Sequence, residues 1–271
     1  MSESVRRIPG EALAMFDPLL AEYGLGLLLA AGAVMLLAGF TKGAVGFALP
    51  MVAISGIGSL MPPTVAIAAL IVPSLVTNLW QAGRDGVGEA LRSFWRFRVL
   101  NAVLFVVIAL SAQLVAVLPD AWLFLILGTA VTGFASLQLA GWRLPSPPPH
   151  QVRRVELGVG CVAGFFGGLA GVWGPPILFY LLAQGLQKIE QVRVQGIAFL
   201  IGSIVLATAH LRSGVLSAET VPLSVAMVLP AVLGMGLGLW LQDRLDEARF
   251  RRLTLAVLVL AGLNLLRRGL F

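Results

Sequence analysis

A glycine-rich interruption of a long apolar stretch limits the folds open to this chain more than any other feature. It reads AGFTKGAVGFALP from Ala38 to Pro50, and a second copy reads AGFFGGLAGVWGPP from Ala163 to Pro176. A constant shift of 125 positions superposes identical residues: Gly39, Phe40, Gly43, Gly46 and Pro50 fall on Gly164, Phe165, Gly168, Gly171 and Pro175. The sequence therefore predicts an internal repeat whose two halves each contain a broken helix.

The composition places the chain in a membrane. Hydrophobic residues make up 58% and charged residues 12%, whereas about a quarter of a soluble domain is charged. We therefore predict an all-α polytopic membrane protein in contact with the lipid bilayer. A single cysteine, Cys161, excludes an intramolecular disulfide, and His150 and His210 are too far apart in sequence to suggest a metal site. Neither a metal nor another cofactor is predicted.

Hydropathy and turn residues divide the chain into four parts. We predict a cytosolic tail over residues 1–19, a first transmembrane repeat over 20–142, a Pro/Arg-rich linker over 143–155 and a second repeat over 156–271. Each repeat is expected to hold a broken or re-entrant first helix unit followed by three plain spans, giving about eight net crossings. The first-repeat segments are 20–41, 49–60, 64–82, 99–118 and 122–142; the second-repeat segments are 156–171, 177–186, 192–210, 221–241 and 253–266.

The net charge of +6 comes from arginines in short inter-helix loops, where they set topology and do not indicate a nucleic-acid partner. If each interrupted unit crosses the bilayer once, the basic loops 84–98 and 143–154 lie on the same side as both termini. The positive-inside rule then predicts cytoplasmic termini and two halves of like orientation in a cytoplasmic (inner) membrane. An inverted five-plus-five arrangement is the alternative.

Lys42 places a positively charged side chain in the first break. A lysine near mid-membrane costs roughly 2.5 to 3.5 kcal/mol, and the predicted spans offer no obvious acid to pair with it. An ammonium beside the N-terminus of a half helix, with glycine amides nearby, is suited to a small oxyanion. We expect the substrate to bind between the breaks, at Lys42, Gly39, Gly43, Gly46, Phe47, Asn78, Gly168, Gly171, Trp173, Gly174 and Gln195. The alternatives are glycines that only pack helices and a lysine that snorkels to the interface.

Polar residues on the spans after the breaks extend this hypothesis. Ser74, Thr77, Asn78 and Gln81 form one helical stripe. Arg193 is a candidate gate that Glu190 could pair with, and His210 is the only span residue whose unperturbed pKa lies near neutrality. A proton is accordingly the expected coupling ion.

The paired motifs resemble the sulfite exporter TauE/SafE family of membrane transporters. The resemblance is carried by Gly39-Phe40-x-Lys42-Gly43-x-x-Gly46-Phe47 with Pro50, by Gly171-x-x-Gly174-Pro175-Pro176, and by Arg193. It implies a carrier for small anions such as sulfite or organosulfur compounds, without an ATPase partner, and leaves room for a homodimer. Ala48 stands where a glycine is common in the family, and Val172-Trp173 depart from its second motif.

Other classes of function fit less well. Ser203 and His210, the one candidate nucleophile and base on a single element, lie about 10.5 Å apart along a helix at 1.5 Å per residue. This exceeds hydrogen-bond reach, so no catalytic residues and no enzyme are predicted. An anion channel remains an alternative because a broken-helix site also suits a pore. A non-transporting membrane scaffold is harder to reconcile with a buried lysine.

Overall fold

The computed structural model describes residues 17–84, 87–241, 244 and 246–271. These residues form helices and no strands, and seven helices are long and apolar enough to cross a membrane. The predicted all-α polytopic fold is therefore confirmed, and the expected count of about eight crossings is roughly consistent with seven such helices. Most of the predicted tail, residues 1–16, lies outside the described residues.

The helices follow the predicted segments closely, except that α4 forms within residues 84–98, which were predicted to be a loop. They are α1 Asp17–Val45, α2 Leu49–Ile57, α3 Pro63–Arg84, α4 Val87–Arg96, α5 Arg98–Ser111 with the 3-10 turn Ala112–Ala116, α6 Asp120–Leu139, α7 Val152–Ala170, α8 Gly174–Ala183, α9 Lys188–Ser213, α10 Val221–Ala226, α11 Val228–Leu241 and α12 Glu247–Leu270.

Each interrupted unit is a re-entrant hairpin, which is one of the two forms, broken or re-entrant, predicted for the first helix unit. Helix α2 runs back along α1, because a Cβ added to Gly56 would meet the side chain of Val34, 22 residues earlier in the chain. In the second unit the Tyr180 hydroxyl on α8 donates to Glu156 Oε1 near the start of α7, at 3.1 Å. Each half therefore dips into the bilayer and returns before its long spans begin.

Equivalent helices of the two halves pack antiparallel. Along α6 and α12, Ala121 lies against Gly269 and Gly128 against Gly262. Along α3 and α9, the Asn78 amide donates to the Phe199 carbonyl at 3.1 Å, and Ala82 lies against Gly196. The halves are consequently inverted, and the expectation of like orientation is wrong. That expectation required each interrupted unit to end on the opposite side from its start, whereas both hairpins turn back.

The two halves pack closely through rows of glycines, here called glycine seams. The first helix of each half packs in parallel on the second of the three plain spans of the other half, so that α1 lies on α11 and α7 on α5. A Cβ on Gly43 would collide with the backbone of α11 at Met235, and one on Gly168 would collide with α5 at Ser111. Small residues allow this backbone approach, the usual device of membrane helix packing.

The helix directions define two ends of the molecule. At the basic end, α4, the linker, the turn after α8 and the start of α12 lie together, joined by the Arg96–Glu190 ion pair and by the Ser146 hydroxyl donating to the Ala183 carbonyl at 2.7 Å. At the terminal end, the end of α12 contacts the turn after α2, where Asn264 donates to Ser59 Oγ at 2.9 Å. Described arginines concentrate at the basic end, and only three lie at the terminal end, namely Arg212, Arg267 and Arg268. Those at the basic end are Arg92, Arg96, Arg98, Arg143, Arg153, Arg154, Arg193, Arg244, Arg249, Arg251 and Arg252.

Candidate functional site

The tips of the two hairpins meet in the interior. A Cβ built on Gly171 would lie 3.4 Å from Pro50 Cγ, and one on Gly174 would lie 3.4 Å from Phe47 Cβ. The two breaks that sequence alone places 125 positions apart therefore form one junction.

The junction has unusual backbone geometry on both sides. Helix α7 ends at Gly171 with φ 70°, a left-handed conformation that glycine adopts without strain. Before α2 the same conformation falls on Ala48, whose φ is 79°. Ala48 is the only described residue other than glycine with a positive φ. A residue with a side chain thus occupies a backbone conformation that favours glycine.

Both half helices point their N-termini at this junction. The first amides of a helix have no intrahelical partner, and prolines at these positions have no N–H. In α2 this leaves the amides of Leu49 and Met51, on either side of Pro50, and in α8 it leaves Gly174 ahead of two prolines. A few backbone donors at the positive ends of two helices converge from opposite directions.

A small cavity of about 20 Å³ lies between the tips. One water molecule needs about 10–15 Å³ by this measure, so the space as seen is nearly closed. Its walls are apolar apart from one charged group and two polar ones. They comprise Lys42, Phe47, Ala48, Pro50, Met51, Ser74, Asn78, Gly171, Val172, Trp173, Gly174, Pro175 and Phe199.

Lys42 reaches the cavity from the last turn of α1 and is 4% exposed. Its Nζ donates to Thr77 Oγ1 at 3.0 Å and to Asn78 Oδ1, both on α3. An ammonium has three N–H donors, so one remains for another acceptor. Among the described residues, no ion pair includes Lys42. Its charge is therefore buried with neutral partners only.

Helix α3 supplies two further polar groups. The Asn78 amide is held by its bond to the Phe199 carbonyl, which turns the Oδ1 atom toward Lys42. The Ser74 hydroxyl lines the cavity and is buried without a hydrogen-bond partner. Such an orphaned hydroxyl is uncommon in a folded protein, and an anion in the cavity would satisfy it.

Six of the predicted substrate residues line the cavity: Lys42, Phe47, Asn78, Gly171, Trp173 and Gly174. The remaining five do not. Gly39 and Gly43 pack against α11, and Gly168 packs against α5, in agreement with the alternative of packing glycines. Gly46 forms the break, and its carbonyl accepts from Gln81 Nε2 at 3.2 Å. Gln195 is buried on α9 away from the cavity walls.

The two candidates for gating or coupling lie outside the cavity. Arg193 is at the basic end, 3.7 Å from the Glu89 carboxylate, while Glu190 pairs with Arg96 and not with Arg193. His210 is fully buried beneath the second hairpin, where its Nε2 lies 3.1 Å from the Gly168 carbonyl. Because a carbonyl only accepts, this nitrogen must carry a proton, and His210 caps the end of α7.

Sequence reasoning missed the apolar wall. Met51 and Phe199 line the cavity, but on a chain that is 58% hydrophobic nothing distinguishes them from packing residues. Pro50, Val172 and Pro175 also line it, and the sequence singled them out only as residues of the breaks. Position in the repeat is the one usable signal, because Ser74 and Phe199 are equivalents at the shift of 125. The two helices α3 and α9 thus present a hydroxyl and an aromatic ring at matching places.

One comparison with known proteins found a match. A family model described as "Sulfite exporter TauE/SafE" matches residues 31–265, which run from within α1 to near the end of α12. No curated protein and no solved structure matches the chain.

Proposed function

Since this chain belongs to the sulfite exporter TauE/SafE family, we propose that it is a secondary carrier of sulfite or a related small organosulfur anion. One observation carries the proposal: a buried ammonium with no counter-ion among the described residues lies where two helix N-termini converge. A charge buried with neutral partners is costly. A bound oxyanion would offset that cost. It would accept hydrogen bonds from Lys42, from Ser74 and from the free backbone amides of the two half helices.

The closed state of the cavity supports a carrier over a channel. A space of about 20 Å³ bounded by Phe47, Trp173 and Phe199 gives no continuous path. A carrier binds its substrate in such an occluded space and exposes it by moving one repeat against the other. The inverted hairpins supply two equivalent moving parts, one entering from each face.

The charge distribution supports an orientation. The positive-inside rule places the arginine-rich basic end in the cytoplasm. Because the hairpins are re-entrant and the halves inverted, the C-terminus and the start of α1 then face away from the cytoplasm. This assignment reverses the expectation of cytoplasmic termini, which depended on halves of like orientation. A reporter enzyme fused after Phe271, active only outside the cytoplasm, tests it.

The energy source and the assembly stay predictions. A proton is expected to be the coupling ion, and His210 beneath the second hairpin is the candidate group. Uptake that continues unchanged after a protonophore collapses the pH gradient would contradict proton coupling. Light scattering of the purified protein tests the expected homodimer.

Transport in proteoliposomes tests the central proposal. We expect saturable uptake of radiolabelled sulfite that is accelerated by unlabelled sulfite inside the vesicle. Lys42→Gln should abolish most of this uptake while leaving the protein folded, and Arg212→Gln, which removes an exposed cation from the terminal end, is the matched control. Flux linear in concentration would indicate a channel, and equal sulfite affinity in Lys42→Gln would remove Lys42 from the site.

A further inference from the structure

A second, larger cavity opens at the basic end. Its volume is about 590 Å³, and it lies between the end of α6, the linker that follows, the end of α8 and the N-terminal part of α12. Three arginines line it: Arg143 on the linker, and Arg251 and Arg252 on α12. None of its described lining residues is an acid. Walls of low dielectric constant around like charges concentrate counter-ions, so this cavity attracts anions.

Polar donors of the cavity are placed to bind an anion. Arg251 Nη2 donates to Gln138 Oε1 at 3.0 Å, which fixes the orientation of the Gln138 amide. The Nε2 of that amide is buried without a hydrogen-bond partner. Guanidinium groups present several donors in a plane that matches oxyanions. A guanidinium and an unused amide donor therefore stand together at the wall of the cavity.

A single aromatic ring separates this cavity from the site between the hairpins. The Arg251 guanidinium carbon lies 5.9 Å from the centroid of the Phe47 ring, and Phe47 also lines the inner cavity. Movement of the α2 hairpin tip would displace Phe47 and join the two spaces. Arg251 thus links the outer cavity to a side chain that forms the wall of the inner one.

We propose that the cavity lined by Arg143, Arg251 and Arg252 is the cytoplasmic vestibule of the carrier, which collects small oxyanions and delivers them past Phe47. The inference rests on the proposed function for the identity of the anion. It predicts an electrostatic property of the cavity that does not depend on transport. An anionic lipid headgroup shares the chemistry of the substrate and is the competing occupant.

Thiol reactivity measures the property directly. In a Cys161→Ser background, Ala248→Cys places a thiol in the lining of the vestibule, and Ala218→Cys places one in the turn between α9 and α10 at the terminal end. We expect the Ala248→Cys thiol to react about ten-fold faster with a sulfonate-bearing methanethiosulfonate than with its ammonium analogue, as focusing of anions requires. Adding Arg252→Gln and Arg143→Gln should remove most of that preference, and the Ala218→Cys thiol should show none. Equal rates for the two reagents in the Ala248→Cys variant would overturn the proposal.

Two further arms separate the competing explanations. Ethanesulfonate should slow modification of the Ala248→Cys thiol in phosphatidylcholine vesicles; protection only by added phosphatidylglycerol would assign the cavity to a lipid headgroup and overturn the proposal.

Arg252→Gln should raise the KM for sulfite uptake several-fold at low ionic strength. It should leave kcat unchanged and leave the thermal shift at saturating sulfite intact. An Arg252→Gln carrier with unchanged KM would show that substrate bypasses the vestibule.

Lys42→Gln tests the inner site separately. It should abolish the thermal shift caused by sulfite and leave the preference of the Ala248→Cys thiol for the sulfonate reagent unchanged. Failure of the proposed inner site can therefore be distinguished from failure of the proposed vestibule.

Discussion

The Lys42 ammonium donates to the Asn78 side-chain oxygen, and the Asn78 amide in turn donates to the Phe199 carbonyl. This chain of contacts joins α1 of the first half to α3 and then to α9 of the second half. The cation that the first repeat supplies is thus oriented by a helix that the second repeat holds in place. Because the side chain at position 78 is a neutral amide, no described residue supplies a counter-ion to this ammonium.

Replacing that amide with an acid should stabilise the protein and weaken substrate binding. Asn78→Asp puts a carboxylate beside the Lys42 ammonium, and a hydrogen-bonded pair inside a protein is favoured over a lone buried charge. We expect the melting temperature to rise and sulfite affinity to fall at least about ten-fold, equivalent to about 1.4 kcal/mol. Thermal unfolding with and without sulfite measures both. Asn264→Asp adds the same charge at the terminal end and should leave affinity unchanged; retained affinity in Asn78→Asp would place the anion elsewhere.

The backbone at Ala48 offers a test of local strain. A left-handed backbone conformation strains a residue other than glycine by about 1–3 kcal/mol. Glycine avoids this strain but lowers the free energy of unfolding by about 0.4–1 kcal/mol, because its unfolded chain has more conformational entropy. Ala48→Gly should therefore stabilise the protein by roughly 1 kcal/mol, or about 2–4 °C in Tm for a chain of this size. Ala53→Gly, in the regular interior of α2, should destabilise it by at least the usual ~1 kcal/mol. A lower Tm for Ala48→Gly would contradict the assigned conformation.

How much of this architecture the sequence predicts depends on the residue type. The break at Gly39 to Pro50, its repeat and the burial of Lys42 at the break could be inferred, because glycine, proline and a buried charge are costly in a bilayer and so carry information. The inversion of the halves could not, since the direction of α2 depends on the φ values of Gly46 and Ala48. Loop charges, taken with a cytosolic N-terminal tail, favoured like orientation and left the inverted arrangement as the alternative. The apolar wall, with Phe199 in it, depends on tertiary packing of residues that look alike in sequence.

The glycine seam between α1 and α11 should be sensitive to a single methyl group. A Cβ on Gly43 would overlap the backbone at Met235, which cannot move without displacing α11. Overpacking of this kind costs about 1–3 kcal/mol. Gly43→Ala should lower the Tm and the yield of folded protein, whereas Gly32→Ala on the same helix meets no atom within 4 Å and should not. If Gly43→Ala folds normally and loses only sulfite affinity, Gly43 belongs to the site and not to the seam.

A serine hydroxyl from the second half supports the helix that carries the site. Ser224 Oγ donates to the Ala68 carbonyl at 2.6 Å and accepts from the Val72 amide at 3.1 Å, immediately before Pro73. Ser224→Ala should leave these buried backbone groups without a partner and cost about 1–3 kcal/mol. Denaturation in detergent measures the loss. Ser136→Ala, at an exposed position on α6, should change stability little, and an equal effect of both substitutions would argue against the bridge.

Trp173 should set the size of the anion that the carrier accepts. Its ring is 2% exposed, lines the inner cavity and lies 6.0 Å from the Phe199 ring, so it occupies space into which a substituent of the substrate would extend. Trp173→Phe keeps an aromatic wall and enlarges the space. Trp173→Ala enlarges it further but costs about 3–5 kcal/mol of stability, so the Phe variant is the primary test. We expect the ratio of affinities for ethanesulfonate over sulfite to rise by about ten-fold, near 1.4 kcal/mol, in competition assays of sulfite uptake. Trp122→Phe, which alters a side chain 58% exposed at the start of α6, is the control. An unchanged ratio with normal uptake would mean that the bound anion does not contact Trp173, and that selection by size occurs at another wall of the cavity.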